Sequence, residues 1–335
     1  MANGTVKKEK KIVCLGGGTG TFVVLKGLKH YPYHLTAIVT MSDSGGSNKR
    51  IRDEFGLLPT SDIRQCFVAL SNENGGVGLL RKLFMYRFEK GEGIKGMTFG
   101  NLFMAALSDI LGSQEAAIRK TGEVLRIHGT VIPVSFTQTN LYAEYENGHV
   151  VDEEHFIDEP THDGKLKIKH LYLKPEPQAN PAAIAAIENA DLIVIGPGDL
   201  YTSILPNLII SDIAKAVSAS KAKKVYILNL MTKYGQTYGY TAQDHIRTLE
   251  KYIGKSIHYV IANNTPFSKN VLQKYEAMGE HPVVDDLSEN MYYSVIKQDI
   301  IGRSPIKKAT TDTLVRSLIR HDSNKLAKVI ESIVK

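Results

Sequence analysis

The chain of 335 residues has no tryptophan and only two cysteines, Cys14 and Cys66. Their spacing is neither metal-type nor redox-type, and both fall in apolar-patterned segments, so they read as buried thiols of a reducing compartment. No apolar run approaches the roughly 20 residues a membrane helix needs. The opening MANGTVKKEKK carries basic residues without the apolar core of a signal peptide. A cytoplasmic location without membrane insertion is expected. Excess charge is also small: 41 Lys and Arg against 35 Asp and Glu leave +6. The densest basic stretch, Lys7 to Lys11, lacks interleaved aromatics and lies in an expected flexible tail over 1–10, so no nucleic acid partner is expected. Metalloprotease and hydrolase signatures are missing as well, no Cys–His pair can be placed, and no catalytic residue is assigned. His149, His155 and His162 show no known metal spacing and are expected at the surface.

What is present is an ordinary globular composition, 43% hydrophobic and 23% charged. The length fits one elaborated domain or two intimate ones, and no Pro/Gly-rich linker or fixed-period repeat divides it. Lys11 to Leu15 reads as a buried strand running into Gly16-Gly17-Gly18-Thr19-Gly20-Thr21, followed by a helix bearing Phe22, Leu25 and Leu28 and by the apolar run Leu35 to Thr40. Strand, helix and strand in so short a span make a βαβ unit of a parallel sheet. Ser61 resembles a helix N-cap with Asp62 in the first turn, and a further helix starts near Asn101. Asn147-Gly148 marks a hairpin in a region of changed period. Asn180-Pro181 opens a helix, and strands recur at Asp191–Ile195, Lys224–Asn229 and Ile257–Asn263. The fold class expected is α/β: a doubly wound, Rossmann-like, mostly parallel sheet with a small antiparallel β insertion over 131–175. The α/β body is expected over 11–322, with a C-terminal helix over 323–335 packed on it.

The strands ending at Leu15, Thr40, Ile195, Asn229 and Asn263 each run straight into Gly, Ser, Thr, Asp or Asn. In a parallel sheet these loops all leave from the carboxyl edge, where such folds bind ligands. Glycines let a backbone approach a ligand closely, and a helix N-terminus presents unpaired N–H groups to a phosphate. Gly16–Thr21 is thus a candidate diphosphate cradle, with Thr19 and Thr21 as added donors; it is an imperfect G-x-G-x-x-G and not a Walker A loop. A tight turn is the competing reading of the same glycines. Asp43 stands where dinucleotide-binding folds place a ribose-binding acid. Gly45-Gly46-Ser47 after it offers a second backbone cradle, and Lys49, Arg50 and Arg52 are candidates to neutralise phosphate. Gly198, Asn229, Thr232 and Asn263-Asn264 complete the rim, and the asparagines suit a base edge because each has both a donor and an acceptor.

These residues, taken with several further blocks, resemble the CofD/YvcK family, and within it the bacterial gluconeogenesis-factor branch, over Lys11 to about Asp322. The blocks are Gly16-Gly17-Gly18-Thr19-Gly20, Asp43 with Gly45-Gly46-Ser47, Arg50–Gly56, Asp62-Ile63-Arg64, Gly100-Asn101-Leu102, Gly196-Pro197-Gly198, Leu200–Ile204, Pro206-Asn207-Leu208, Asn229 with Met231-Thr232, Asn263-Asn264 and Ile319–Asp322. The resemblance implies a UDP-sugar-binding regulatory protein that supports cell-wall synthesis and cell shape during gluconeogenic growth. It implies UDP-N-acetylglucosamine or UDP-glucose as ligand, with UMP, UDP, GDP and NAD as candidate occupants of the same pocket. No cofactor is obligatory; Mg²⁺ is a candidate ion, with Asp43 as its ligand. A homo-oligomer is expected, and the cell-wall synthesis machinery is a candidate partner. Carried over by position, Gly17, Gly18, Thr19 and Gly20 hold the diphosphate and Asp43 lies near ribose or metal. Gly45, Gly46, Asn101, Gly198 and Thr232 line the site, Asn229, Asn264 and Tyr275 read base or sugar, and Arg320 reaches the ligand from the C-terminal segment.

The chain departs from the branch pattern at Ser44 (an acid elsewhere), Asn48-Lys49 (Ser-Gly), Ser61 (Gly), Met97 (His), Asp199 (Ser) and Lys233-Tyr234-Gly235-Gln236 (Gln-Pro-Gly-Glu). Losing the acid at Ser44 weighs against paired carboxylates holding Mg²⁺, and so against turnover, while Asp199 is a candidate to restore the second acid. The alternative is a Mg²⁺-dependent transferase of the 2-phospho-L-lactate type using a guanosine diphosphate-linked donor. A nicotinamide-dependent oxidoreductase ranks third, because no proton donor can be placed beside a nicotinamide.

Overall fold

The structure is a computed structural model, and it describes residues 9–73, 75–288, 291–302 and 317–335. Most of the expected tail lies outside these residues. The first strand, β1 (Lys10–Gly16), starts one residue before the expected edge of the body, and Lys10 and the Lys11 amide both bond to Asp191.

From β1 the chain runs through α1 (Gly18–Leu28), β2 (Tyr33–Val39), α2 (Gly46–Phe55), α3 (Ser61–Leu70), α4 (Gly75–Met85), α5 (Phe99–Leu111) and α6 (Gln114–Val124) to β3 (Thr130–Pro133). Then follow β4 (Asn140–Tyr145), β5 (Val150–Asp152), α7 (Glu154–Asp158), β6 (Ile168–Lys174), α8 (Pro181–Glu188) and β7 (Leu192–Ile195). A π-helical turn, Leu200–Ile204, leads into α9 (Leu205–Leu208) and α10 (Ser211–Ala219). The described chain closes with β8 (Lys223–Ile227), α11 (Ala242–Ile253), β9 (Tyr259–Asn263), α12 (Lys269–Glu276), β10 (Ser294–Gln298) and α13 (Ser323–Val334).

Seven of these strands form one sheet in the order β10-β9-β8-β7-β1-β2-β3. Every neighbouring pair in it is parallel. The fold is therefore the doubly wound sheet that the strand–helix rhythm predicts. Side chains alternate across it: Val13, Leu15, Ile193 and Ile195 enter one core, while Ile12, Cys14, Leu192 and Val194 enter the other. Burying both faces explains why the central strands read as uninterrupted apolar runs.

Two expectations need correction. The antiparallel sheet, in the order β5-β4-β6, holds Asn140–Lys174 only, because β3 pairs in parallel with β2 and closes the main sheet. The hairpin at Asn147-Gly148 is present, with Gly148 at φ +83°. Ser61 is not an N-cap either; the cap position is Thr60, and neither residue caps through its own side chain. Asn48 does so from α2, its Oδ1 accepting the N–H groups of Thr60 and Ser61 at 3.2 Å each. The capping rule found the right place and the wrong donor, because the acceptor comes from a residue twelve positions earlier.

The last helix, α13, packs on α1. Leu326, Ala327, Ile330 and Ile333 are buried, and a Cβ on Gly27 of α1 would collide with the Ser323 carbonyl. Among the described residues no helix is long and apolar enough to cross a membrane.

Candidate functional site

Strand order reverses beside β1: one half of the chain runs outward through β2 and β3, the other through β7, β8, β9 and β10. At such a switch point the carboxyl-end loops diverge and leave a crevice. A cleft opens there, lined by Gly17–Gly20, Asp43, Gly45–Ser47, Gly198, Asn229, Thr232, Tyr275 and Arg320, among others. Twelve of the fourteen sequence-predicted site residues thus share one cavity, and Asn101 and Asn264 lie outside it.

The glycine loop has a specific shape. Gly17 is the extended N-cap of α1 and supplies no side-chain cap, so the first-turn N–H groups of the helix are left for a ligand. Gly18 sits at φ +59°, a conformation that costs other residues energy. Gly20 packs against the loop after β7 so tightly that a Cβ would collide with the Pro197 carbonyl. Thr19 lines the cleft, but Thr21 does not; it is buried, and its hydroxyl donates back to the Gly17 carbonyl at 3.4 Å.

The loop after β2 is held by Asp43, whose two carboxylate oxygens accept from the Gly45 N–H at 2.8 Å and the Asn48 side chain at 2.6 Å. This carboxylate shapes the second cradle, in which Gly45 caps α2 without a side chain and Gly46 has φ +52°. Among the described residues no group of three His, Cys, Asp or Glu side chains is placed to hold a metal ion by itself.

Lys49, Arg50 and Arg52 do not line the cleft. Lys49 and Arg52 pair with Glu153 at 3.6 and 3.8 Å, and Arg50 pairs with Glu54 at 3.1 Å. Among the described residues the Lys and Arg that do line it are Arg64, Arg87, Lys233 and Arg320. Arg64 sat unremarked inside the Asp62-Ile63-Arg64 block, whereas nothing local in the sequence marks Arg87. Asn101 is displaced from the expected role by Arg64: it is fully buried, and its Oδ1 accepts from the guanidinium Nε at 3.0 Å. Its amide donates to the Ser47 and Ser61 hydroxyls at 3.1 and 3.2 Å. Two of the chain's departures, Asn48 and Ser61, belong to this network, since the Ser61 hydroxyl donates to Asn48 at 2.9 Å.

A third departure, Ser44, has a defined job. Its hydroxyl accepts the His155 N–H at 3.1 Å and so pins α7, carried by the β insertion, over the cleft. Glu154, His155 and Asp158 then line the cavity, which corrects the surface expectation for His155. His149 is exposed as expected, and His162 is half-buried against the Tyr145 ring, their centroids 4.3 Å apart.

Opposite α7 stand the loop after β8 and the C-terminal segment. Asn229 donates to the Gly198 carbonyl at 2.9 Å, while its side-chain oxygen is buried and has no hydrogen-bond partner among the described residues. Thr232 exchanges two hydrogen bonds with His281. The Tyr275 hydroxyl accepts the N–H groups of Leu318 and Ile319 at 2.9 and 3.1 Å, which fixes the segment that carries Arg320. Asn264 lies too far along the edge, because β9 is three strands from β1; it is exposed and donates to the Lys297 carbonyl at 3.2 Å. Asn263 likewise bonds locally, to the Thr265 carbonyl.

Carboxylates crowd this space. Burial, with Asp43, Asp158 and Asp62 nearby, pushes the Glu154 carboxyl well above the usual carboxylate range. Burial raises Asp158 to about 6 and Glu280 to about 7, partly offset in each by Lys233. The Lys233 ammonium lies 3.7 Å from Asp158 and 3.9 Å from Glu280. Burial opposes its charge, but Asp158, Asp199 and Glu280 outweigh that and hold it above the usual lysine range. His321 is driven to about 4 by burial, so it lines the cleft as a neutral ring, bonded to the Leu228 carbonyl at 3.2 Å.

Comparison with known proteins agrees with this geometry. The sequence profile described as 2-phospho-L-lactate transferase CofD matches residues 12–301. The Bacillus subtilis gluconeogenesis factor is 39% identical over 332 residues, covering 98% of this chain and 99% of its own. A putative gluconeogenesis factor from Nostoc is 41% identical over 332 residues, covering 98% of this chain and 70% of the Nostoc protein. A crystal structure of a Bacillus halodurans protein superposes with a TM-score of 0.87 at 36% identity, covering 97% and 100% of the two chains. Fold, glycine loop and full-length similarity together place the chain in the CofD family, among its gluconeogenesis-factor members.

Proposed function

We propose that this protein binds a nucleoside diphosphate-linked sugar, a UDP-hexose or UDP-N-acetylhexosamine, and acts as a regulator of cell-wall synthesis under gluconeogenic growth. One observation carries the reading: the uncapped N-terminus of α1 opens into the same cleft as the loops after β2, β7 and β8 and as Arg320. A diphosphate satisfies first-turn N–H groups, and groups attached at its two ends would lie along the flanking loops. The unpartnered side-chain oxygen of Asn229 supports the base assignment, because an imide N–H would supply the donor it lacks. The names of the relatives, gluconeogenesis factors, support the physiological part. Binding to the cell-wall machinery and self-association belong to the same proposal. Calorimetry with UDP-N-acetylglucosamine, UDP and GDP tests it: heat with GDP and none with the uridine ligands overturns it.

A second reading, transfer of a phospholactyl group, rests on the description of the matching family. It requires turnover of a guanosine diphosphate-linked donor with a deazaflavin acceptor and Mg²⁺, and product formation followed by mass spectrometry decides it.

A further inference from the structure

His321, next in sequence to Arg320, also lines the cleft, and it is firmly held. Its backbone forms an antiparallel bridge with Ile301. On either side of it the Gly302 N–H bonds to the Arg320 carbonyl and the Asp322 N–H to the Ile300 carbonyl, both at 2.8 Å. The ring reaches Leu228, the residue just past β8, with Nε2 3.2 Å from the carbonyl oxygen. That contact assigns the tautomer: a carbonyl oxygen only accepts, so Nε2 carries the proton. Burial keeps the ring neutral by driving its pKa to about 4. Nδ1 is then left with a bare lone pair and can only accept. Among the described residues nothing donates to it. Asn229, which follows Leu228, adds a second acceptor without a partner among the described residues, its side-chain oxygen.

The cleft therefore has a polarity. At β1 it presents donors, the first-turn N–H groups of α1. At β8, two strands away and so about 10 Å along the sheet edge, it presents acceptors. Phosphate oxygens find a partner at the first place and none at the second. We propose that His321 is a ligand-binding residue whose Nδ1 accepts a hydrogen bond from the nucleoside of the bound nucleotide sugar, through an imide N–H or a ribose hydroxyl. The proposal rests on the nucleotide-sugar reading above and adds to it the acceptor that, with Asn229, sets which end of the ligand lies over β8.

Two substitutions separate ligand contact from anchoring of the ring. His321→Gln places an amide N–H where Nε2 stood and keeps the bond to Leu228, but it removes the acceptor at Nδ1. His321→Asn does the reverse, since its oxygen takes the Nδ1 position and the bond to Leu228 is lost. UDP-glucose and UDP are titrated calorimetrically into wild type and both variants, and thermal melting checks that each is folded. His321→Gln is expected to weaken both ligands by about 2-fold to 10-fold, the scale of one neutral hydrogen bond. His321→Asn is expected to bind both more tightly than His321→Gln, despite a lower melting temperature. The opposite order, or equal affinities in all three folded proteins, overturns the proposal. So does a loss confined to UDP-glucose, which would place the hexose at His321. NMR of wild type carrying nitrogen-15 histidine gives a readout that needs no substitution: the free protein shows the Nε2–H tautomer, and the Nδ1 resonance moves upfield on saturation with UDP. An Nδ1 resonance that UDP leaves in place sinks the proposal while the nucleotide-sugar reading stands. No heat with any uridine ligand removes that reading and this contact with it.

Discussion

Replacing Tyr275 by Phe removes one oxygen atom and leaves the ring, so it isolates what that oxygen does. The ring is 2% exposed and packs with Leu230 and Met231, contacts that Phe keeps. The hydroxyl accepts two N–H groups, from Leu318 and Ile319. Leaving a donor without its acceptor costs about 1 to 3 kcal/mol when it is buried. These amides are partly exposed, so roughly 1 kcal/mol each is appropriate. The segment stays tied elsewhere, through the Gly302 N–H to the Arg320 carbonyl and the Asp322 N–H to the Ile300 carbonyl, both at 2.8 Å. The loss is therefore local. Hydrogen exchange at the Leu318 and Ile319 amides is expected to accelerate about 5-fold if each opens alone and about 30-fold if both open together, at 1.4 kcal/mol per factor of ten, while core strands exchange as before. Because Arg320 follows directly, UDP-sugar affinity falls as well, and a double-mutant cycle with Arg320→Ala shows less than additive loss. Unchanged exchange at both amides would refute the claim that Tyr275 latches this segment.

Other expectations follow the same logic. Arg320→Ala weakens UDP-sugar binding by about 1.5 to 3 kcal/mol, the scale of a charge-assisted hydrogen bond; unchanged affinity by calorimetry assigns Arg320 a structural role alone. Gly20→Ala drives a methyl into the Pro197 carbonyl and is expected to lower the melting temperature and abolish ligand binding. Gly46→Ala meets open space and carries only the cost of its φ of +52°, about 1 to 2 kcal/mol. Asp158 and Glu280 have folded pKa values raised to about 6 and about 7 from 3.8 and 4.5. Their protonated forms therefore favour the folded state, and that contribution, full below about pH 4, is lost as the pH rises to about 7. The Asp158→Asn, Glu280→Gln double variant should accordingly gain in urea midpoint over wild type between pH 5 and pH 8; a constant difference would contradict the burial of these acids. Burial also raises both thiols, Cys14 to about 12, so neither should react with a disulfide reagent until the protein unfolds.

The sheet was legible because β1, β2, β7, β8 and β9 are buried on both faces and their apolar runs stop at polar loops. The weak strand was not: β10, SVIKQ, has no residue buried below the core level and takes its identity from pairing with β9. The backbone part of the site was equally legible, since Gly17, Gly18 and Gly20 owe their placement to local geometry that only small residues permit. Side chains that arrive from a distance were not. Glu154 and Asp158 reach the cleft because Ser44 pins α7, and Glu280 does so beside Lys233. Asn101 misled for the converse reason: its motif is adjacent to the site, but Arg64 stands between it and the cavity. Asn264 shows that a polar strand end is a rim residue only if its strand lies near the reversal in order.

The docking of α13 on Gly27 joins two regions that look unrelated. Helix α1 is eleven residues long; its first turn borders the cleft and its last turn bears the C-terminal helix. Anything that levers α13 away uncovers the flank of a rod whose other end borders the cleft. The C-terminal helix and the cleft thus bear on the two ends of one short rod.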